Sequence, residues 1–205
     1  MDIDTLTAAG FDIVHPFDAH AVAREMGLPL LADAERTQGY LIGNTRVLGP
    51  TFLSARRADP ELAASANPID LYTEKTLARL DGARSLFVHR RYAAGYLPFQ
   101  RIAVAAGLAT LAPSNLAIHP IYGPWFALRA IVLVTGAALT RLLPRAPCEC
   151  ATGCTSAFER ACAAAGPQAW RDWVAVRDAC CVGRDHRYRD DQLAYHYTKD
   201  LRLLE

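Results

Sequence analysis

A chain of 205 residues, 52% of them hydrophobic, is long enough to bury one sizeable core, and a single domain over residues 1–205 is the default expectation. Every apolar run is broken by Arg129 or by Gly and Pro before the roughly 20 residues a bilayer requires, and Met1-Asp2-Ile3-Asp4 has no signal-peptide character, so a cytoplasmic protein with no membrane partner is expected. The formal net charge of +1 excludes little, because it conceals an uneven distribution along the chain.

In chain order, Gly10 to Val14, followed by Pro16-Phe17, reads as a short strand leaving the domain edge. Ala19 to Met26 reads as a helix stopped by Gly27 and Pro29, and Gly39 to Gly43 as the next strand. Asn44 to Ser54 reads as a turn into loosely periodic structure. Asn67 is placed to cap a helix that Pro68 opens and Gly82 closes, with Ile69, Leu71-Tyr72, Thr76-Leu77 and Leu80 at helical spacing. Arg84 to Val88 is a strand candidate that delivers His89, Arg90 and Arg91 to its end. Pro98 to Leu108 is a helix of small and apolar residues, and Thr110 to Asn115 runs back to a turn, His119 to Trp125, before a strand from Phe126 to Val134. Helices follow at Thr155 to Ala165, from Trp170, and from Asp190 to Leu204. Three or four strands interleaved with at least four helices make a layered α+β or α/β domain.

The stretch from Asn115 to Leu133 organises the rest. Its back half is apolar and rich in Ile, Val and Leu, as in a strand buried on both faces, and Arg129 alone interrupts it. A guanidinium there must be paired or sit at a pocket wall, where its fork suits a carboxylate or phosphate. Its front half is a rigid turn of two prolines, with Gly123 allowing a close backbone approach. From Gly82 to Cys148 there is no Asp or Glu but there are seven arginines, at 84, 90, 91, 101, 129, 141 and 145, while residues 1–81 carry 12 acids against 7 bases. Such a segment suits an anionic partner; the alternative is pairing with carboxylates from the flanks. A nucleic-acid partner is not expected, since no recognition-module pattern is present. His119 can act as a metal ligand or as a structural hydrogen-bond donor, and Tyr122, Trp125, Trp170, Trp173, Tyr195 and Tyr197 can wall a flat ligand or fill a core. Triad, Walker, zincin and dinucleotide-binding signatures are all missing from the sequence. All six cysteines lie at 148, 150, 154, 162, 180 and 181. Cys148, Cys150, Cys154 and Cys162 are a candidate metal, iron–sulfur or thiol site in a segment at about 146–182, although their spacing matches neither a zinc ribbon nor a bacterial ferredoxin.

Two of these stretches carry a resemblance. I-H-P-I-Y-G-P-W-F-A-L-R-A-I-V-L-V-T-G, Ile118 to Gly136, resembles the I-H-P-x-[FY]-G-x-W-F-A-[IL]-R-x-x-V-L-x-x-G segment of the methylmalonic aciduria and homocystinuria type C family. W-R-D-W-V-A-V-R-D at Trp170 to Asp178 resembles a second segment of that family, and the likeness continues through Tyr188, Tyr195 and Arg202-Leu203-Leu204. The resemblance implies a flavin-reductase or nitroreductase-like α+β domain, with a central mixed or antiparallel sheet flanked by helices. It also implies cobalamin bound base-off, and removal of its upper ligand by reduced flavin or by attack of glutathione thiolate on the cobalt-bound carbon. Arg129, Arg177 and Arg202 match arginines that grip glutathione, and Asn115, Ile118, His119, Pro120, Tyr122, Gly123, Trp125 and Tyr195 are the positions expected to meet cobalamin. A carrier that passes cobalamin to a downstream acceptor protein is the alternative, as monomer or homodimer. Ala103 to Leu128 is also similar to the cobalamin-binding core of epoxyqueuosine reductase and the reductive dehalogenases, which implies a cobalamin and iron–sulfur reductase as a third reading. This chain lacks a carboxylate near Ala93 to Gly95, where those relatives carry an acidic proton donor.

Overall fold

The computed structural model of the chain describes residues 3–146 and 153–205. Its centre is β8 (Ala127–Val134), in which Ala130 to Leu133 are all fully buried. β8 lies between β2 (Gln38–Asn44) and β3 (Arg84–Phe87), and β2 pairs in turn with β1 (Ile13–Asp18), so the order is β1-β2-β8-β3 and every pairing is antiparallel. A strand in that position has no solvent face, which is why its sequence is an apolar run and not an alternation. β1 runs through Pro16 and Phe17 to Asp18. A proline is tolerated because β1 is an edge strand.

The two faces of the sheet bury different residues. Ile131 and Leu133 pack with Ile13, Phe17 and Leu41 against α2 (Ala19–Met26) and α6 (Phe99–Ala105). Ala130 and Val132 pack with Ile42 on the opposite face, against Leu6 of α1 (Ile3–Ala8), Phe52 of α3 (Leu48–Ala58), and Tyr72 and Leu77 of α5 (Pro68–Leu77). The result is an antiparallel α+β sandwich of helix, sheet and helix, as the α+β expectation requires. Short pairings β4 (Arg91–Tyr92) with β5 (Gly95–Tyr96) and β6 (Thr110–Leu111) with β7 (Ala117–Ile118) complete the strands among the described residues, and a five-residue helix, α4 (Pro60–Ala64), follows α3.

Helix ends follow local chemistry with two exceptions. Asp18 caps α2 by accepting the Ala21 N–H at 2.9 Å, and Gly27 ends it in the left-handed region. Asn67 does not cap α5 with its side chain; only its carbonyl takes part, accepting the Leu71 N–H at 3.1 Å. The loosely periodic stretch after Asn44 is α3, a regular helix whose Pro50 is harmless because it sits in the first turn. α7 (Gly153–Ala163) and α8 (Trp170–Asp178) match expectation. The last helix does not run to Leu204: α9 (Asp190–Thr198) stops at Lys199, whose φ is 56°, and a 3-10 turn covers Leu201–Leu204. Among the described residues no helix is long and apolar enough to cross a membrane.

Candidate functional site

A cavity of about 540 Å³ opens on the α3 and α9 side of the sheet, lined by Asn44, Phe52, Arg129, Tyr188, Tyr195 and His196 among others. Arg129 reaches it because β8 is bulged. Ile42 pairs with Ala130 and the next residue, Gly43, pairs with Leu128, so Arg129 is the extra residue and faces the same side as Ala130. Gly43 permits that geometry, since a Cβ there would stand 2.7 Å from the Ala127 carbonyl oxygen.

Arg129 is held by one bond, Nε donating to Asn44 Oδ1 at 2.6 Å, and it forms no ion pair among the described residues. Asn44 is itself fixed by donating to the Thr45 carbonyl at 2.7 Å and by accepting the Tyr188 hydroxyl on its own carbonyl at 3.2 Å. Burial holds the guanidinium below its ordinary range, opposed by Tyr188, Asp70 and Tyr195, and pushes the Tyr188 hydroxyl up to about 12. The cavity therefore combines apolar walls and neutral phenols with a cation whose fork has an unused edge. That combination suits an anionic group.

The His119 to Trp125 turn folds onto the protein itself. His119 is 5% exposed, and its Nδ1 accepts the N–H groups of Ile121 at 3.1 Å and Tyr122 at 3.2 Å while its ring stacks on Tyr122. It is thus a structural acceptor that shapes the turn. Gly123 has φ of 58°, and the close backbone approach it allows is to the Val182 carbonyl and Gly183. Trp125 is 1% exposed and packs with Val174, Tyr188 and Leu193, while Ile118 lies in a separate cluster with Ala112, Ala146, Cys180 and Val182. Pro120 and Tyr122 are half-buried, and Asn115 is exposed with φ of 59°. Among the residues expected to meet a ligand, Arg129 and Tyr195 line the cavity, and the turn does not.

The basic segment is neutralised in part, since Arg84 pairs with Asp33 at 3.4 Å and Arg90 with Glu74 at 2.9 Å. Cys148 and Cys150 lie outside the described residues. Cys154 is buried and Cys162 exposed, and eight residues of α7 separate them by roughly 12 Å, too far to share one ion by themselves. Among the described residues no group of three His, Cys, Asp or Glu side chains is placed to hold a metal.

These features can be compared with known proteins. The sequence profile of the methylmalonic aciduria and homocystinuria type C family matches residues 99–204, which is more than half of the chain and includes β8, α8 and α9. The chain belongs to this family. Curated members similar to it include the human cyanocobalamin reductase / alkylcobalamin dealkylase, 31% identical over 172 residues covering 83% of this chain and 55% of the human protein. The bovine protein of the same name is 29% identical over 170 residues, 83% of this chain and 54% of its own. The chain thus spans about half the length of the curated relatives it matches. The solved family structure of the C. elegans B12-trafficking protein CblC superposes with a TM-score of 0.65 at 17% identity, covering 98% of this chain and 91% of that one, and so shares its fold. Epoxyqueuosine reductase from Bacillus subtilis aligns only at 0.42, which carries no argument.

Of the three arginines that family resemblance singles out, one lines the cavity. Arg177 donates through Nη1 to the Pro124 carbonyl at 2.8 Å and through Nε to the Tyr197 hydroxyl at 3.1 Å, which ties α8 to the turn before β8. Arg202 is exposed and paired with Asp200 at 2.6 Å. Sequence reading missed Asn44, Tyr188, His196 and Lys199, all of which line the cavity. One signal could have found two of the lining residues besides Tyr195: Gln192 and His196 fall at i and i+4 on a single helical face.

Two of the imidazoles set an acid limit. Burial, and then the charges of His15, His186 and Arg141, pushes His119 down to about 4. Burial, and then Arg177, Lys199 and Arg129, pushes His196 to about 3. Both are neutral in the fold, whereas histidines of the unfolded chain titrate near about 6.5. The unfolded state therefore takes up more protons, so this stability is fully present above about pH 6.5 and is lost as pH falls toward 4 and then 3. Urea midpoints are expected to be flat above pH 7 and to fall between 6.5 and 4; a midpoint that rises on acidification across that window would contradict this assignment.

Proposed function

We propose that this chain binds cobalamin as its substrate and removes the upper axial ligand, with the cavity beside β8 holding an anionic thiol co-substrate. The observation that carries the reading is the bulge that turns Arg129 into the cavity with an unused guanidinium edge. Family membership and the activity named for the curated relatives support it. Glutathione suits such a site because it presents carboxylates to a planar fork. In dealkylation its thiolate attacks the cobalt-bound carbon, the new C–S bond forms, and the Co–C pair stays on cobalt; reduced flavin would supply the electrons for decyanation. Within this proposal His119, Gly123 and Trp125 keep the shape of the turn, and Pro120 and Tyr122, which retain part of their surface, meet the corrin.

An anaerobic ultraviolet–visible titration with methylcobalamin, followed by glutathione, tests the reading. A blue shift on mixing is expected from base-off binding, followed by loss of the alkyl–cobalt spectrum only after thiol is added. Binding without turnover by thiol or reduced flavin would identify a carrier that hands cobalamin to an acceptor. No shift at any concentration would refute cobalamin binding. Iron and acid-labile sulfide in anaerobically purified protein would instead favour the reductase reading and assign Cys148, Cys150, Cys154 and Cys162.

A further inference from the structure

The cavity holds a second cation that neither the family motif nor the arginine pattern points to. α9 ends at Lys199, a non-glycine residue in the left-handed region with φ of 56°, where its N–H donates to the Tyr195 carbonyl at 2.8 Å. Helices that end this way usually place glycine there, because a Cβ is disfavoured in that conformation. The turn puts the exposed Lys199 at the cavity rim, with Nζ 5.5 Å from the centre of the Tyr195 ring. Lys199 forms no ion pair among the described residues, whereas Arg189 at the same rim is held by Asp191 and Arg202 nearby by Asp200, each at 2.6 Å. Arg129 inside the cavity is likewise without a carboxylate. Partial burial and then the like charge of Arg129 hold the Lys199 ammonium below the usual lysine range, with Asp70 opposing. Arg46 and the paired Arg189 line the cavity as well; Arg129 and Lys199 are the cations whose like charges oppose each other there, and a ligand with two negative groups relieves that repulsion.

We propose that Arg129 and Lys199 form a two-cation site for a small molecule bearing two carboxylates, Arg129 gripping one with its guanidinium edge and Lys199 taking the other at the rim. The identity of that molecule as glutathione rests on the thiol reading above, but the charge requirement does not. It also accounts for Arg202: that side chain is engaged by Asp200, and Lys199 stands in the cavity instead.

The test separates the two readings by using S-methylglutathione, which keeps both carboxylates and has no thiol to react. Calorimetric titrations of the full chain would compare it with its glycine mono-ethyl ester, which has lost one carboxylate. Lys199→Met is expected to weaken S-methylglutathione about tenfold, as for one charge-assisted contact, and to leave the ester unchanged, while Lys199→Arg restores most of the loss. Equal weakening of both ligands, or of neither, would overturn the proposal, as would a parent chain that binds no S-methylglutathione. If the pattern holds while methylcobalamin is not turned over, the anion site stands and the dealkylase reading fails.

Discussion

Arg129→Met is expected to weaken glutathione binding about 10- to 100-fold while leaving the chain at least as heat-stable as the parent. The first effect follows from removing a charged, bidentate-capable donor, a contact in the range of about 1.5–3 kcal/mol. The second follows from what holds Arg129 in place. The only hydrogen bond of its side chain among the described residues is the one to Asn44 Oδ1, and no carboxylate pairs with it to offset the desolvation of its charge. A methionine at the bulge would fill similar volume without that desolvation, and Asn44 would keep its bond to Thr45 and its bond from Tyr188. A site that costs stability in the empty protein and gains it back only with ligand is the signature of binding, not of packing. Calorimetry and thermal unfolding on the same samples decide the matter. Unchanged affinity would remove Arg129 from the site, and destabilisation beyond about 2 kcal/mol would make it a structural bridge instead.

Gly123→Ala, like the same change at its contact partner Gly183, is expected to be among the most damaging single-methyl changes, at about 3 kcal/mol or more. The added Cβ would collide with the Val182 carbonyl and Gly183, which are backbone and cannot swing away as a side chain does. Gly166 supplies the control. Its φ of 87° is also left-handed, but a Cβ there would meet nothing within 4 Å, so Gly166→Ala reads the backbone penalty alone, about 1 kcal/mol. The difference between the two variants is the packing cost of the turn. Urea unfolding followed by tryptophan fluorescence suits the measurement, because Trp125 is buried two residues away. Equal midpoints for the two variants would show that the 182–183 backbone yields, and that the turn is not locked by this contact. If it is locked, the damage should spread, since the Pro124 carbonyl anchors Arg177 of α8.

The parts of this protein that were legible in one dimension are those governed by near neighbours. An apolar run too long and too branched for a solvated strand identified β8 as the buried centre. Glycine and proline signals located α2, a proline start and 3.6-residue spacing located α5, and two local motifs carried the family. The oddity of a single arginine in an apolar strand was also visible, because the cost of an unpaired buried charge is a property of the residue type. Other features depended on contacts between distant segments. Whether Arg129 faced the core or a cavity turned on a register shift against β2, and its partner Asn44 is 85 positions away. The close approach at Gly123 could be anticipated, but its nearness to the chain's own backbone at Val182 could not. Lys199 looked like one more charged residue within a helix until the left-handed turn at the end of α9 set it on the cavity rim. Sequence by itself determined the core strand, the helical segments and the family, because hydrophobic period and turn chemistry act over a few residues. Only the tertiary structure decided which cations share a cavity, because strand register and helix termination place side chains from β2, α3, α5, β8, α9 and the 3-10 turn around one space.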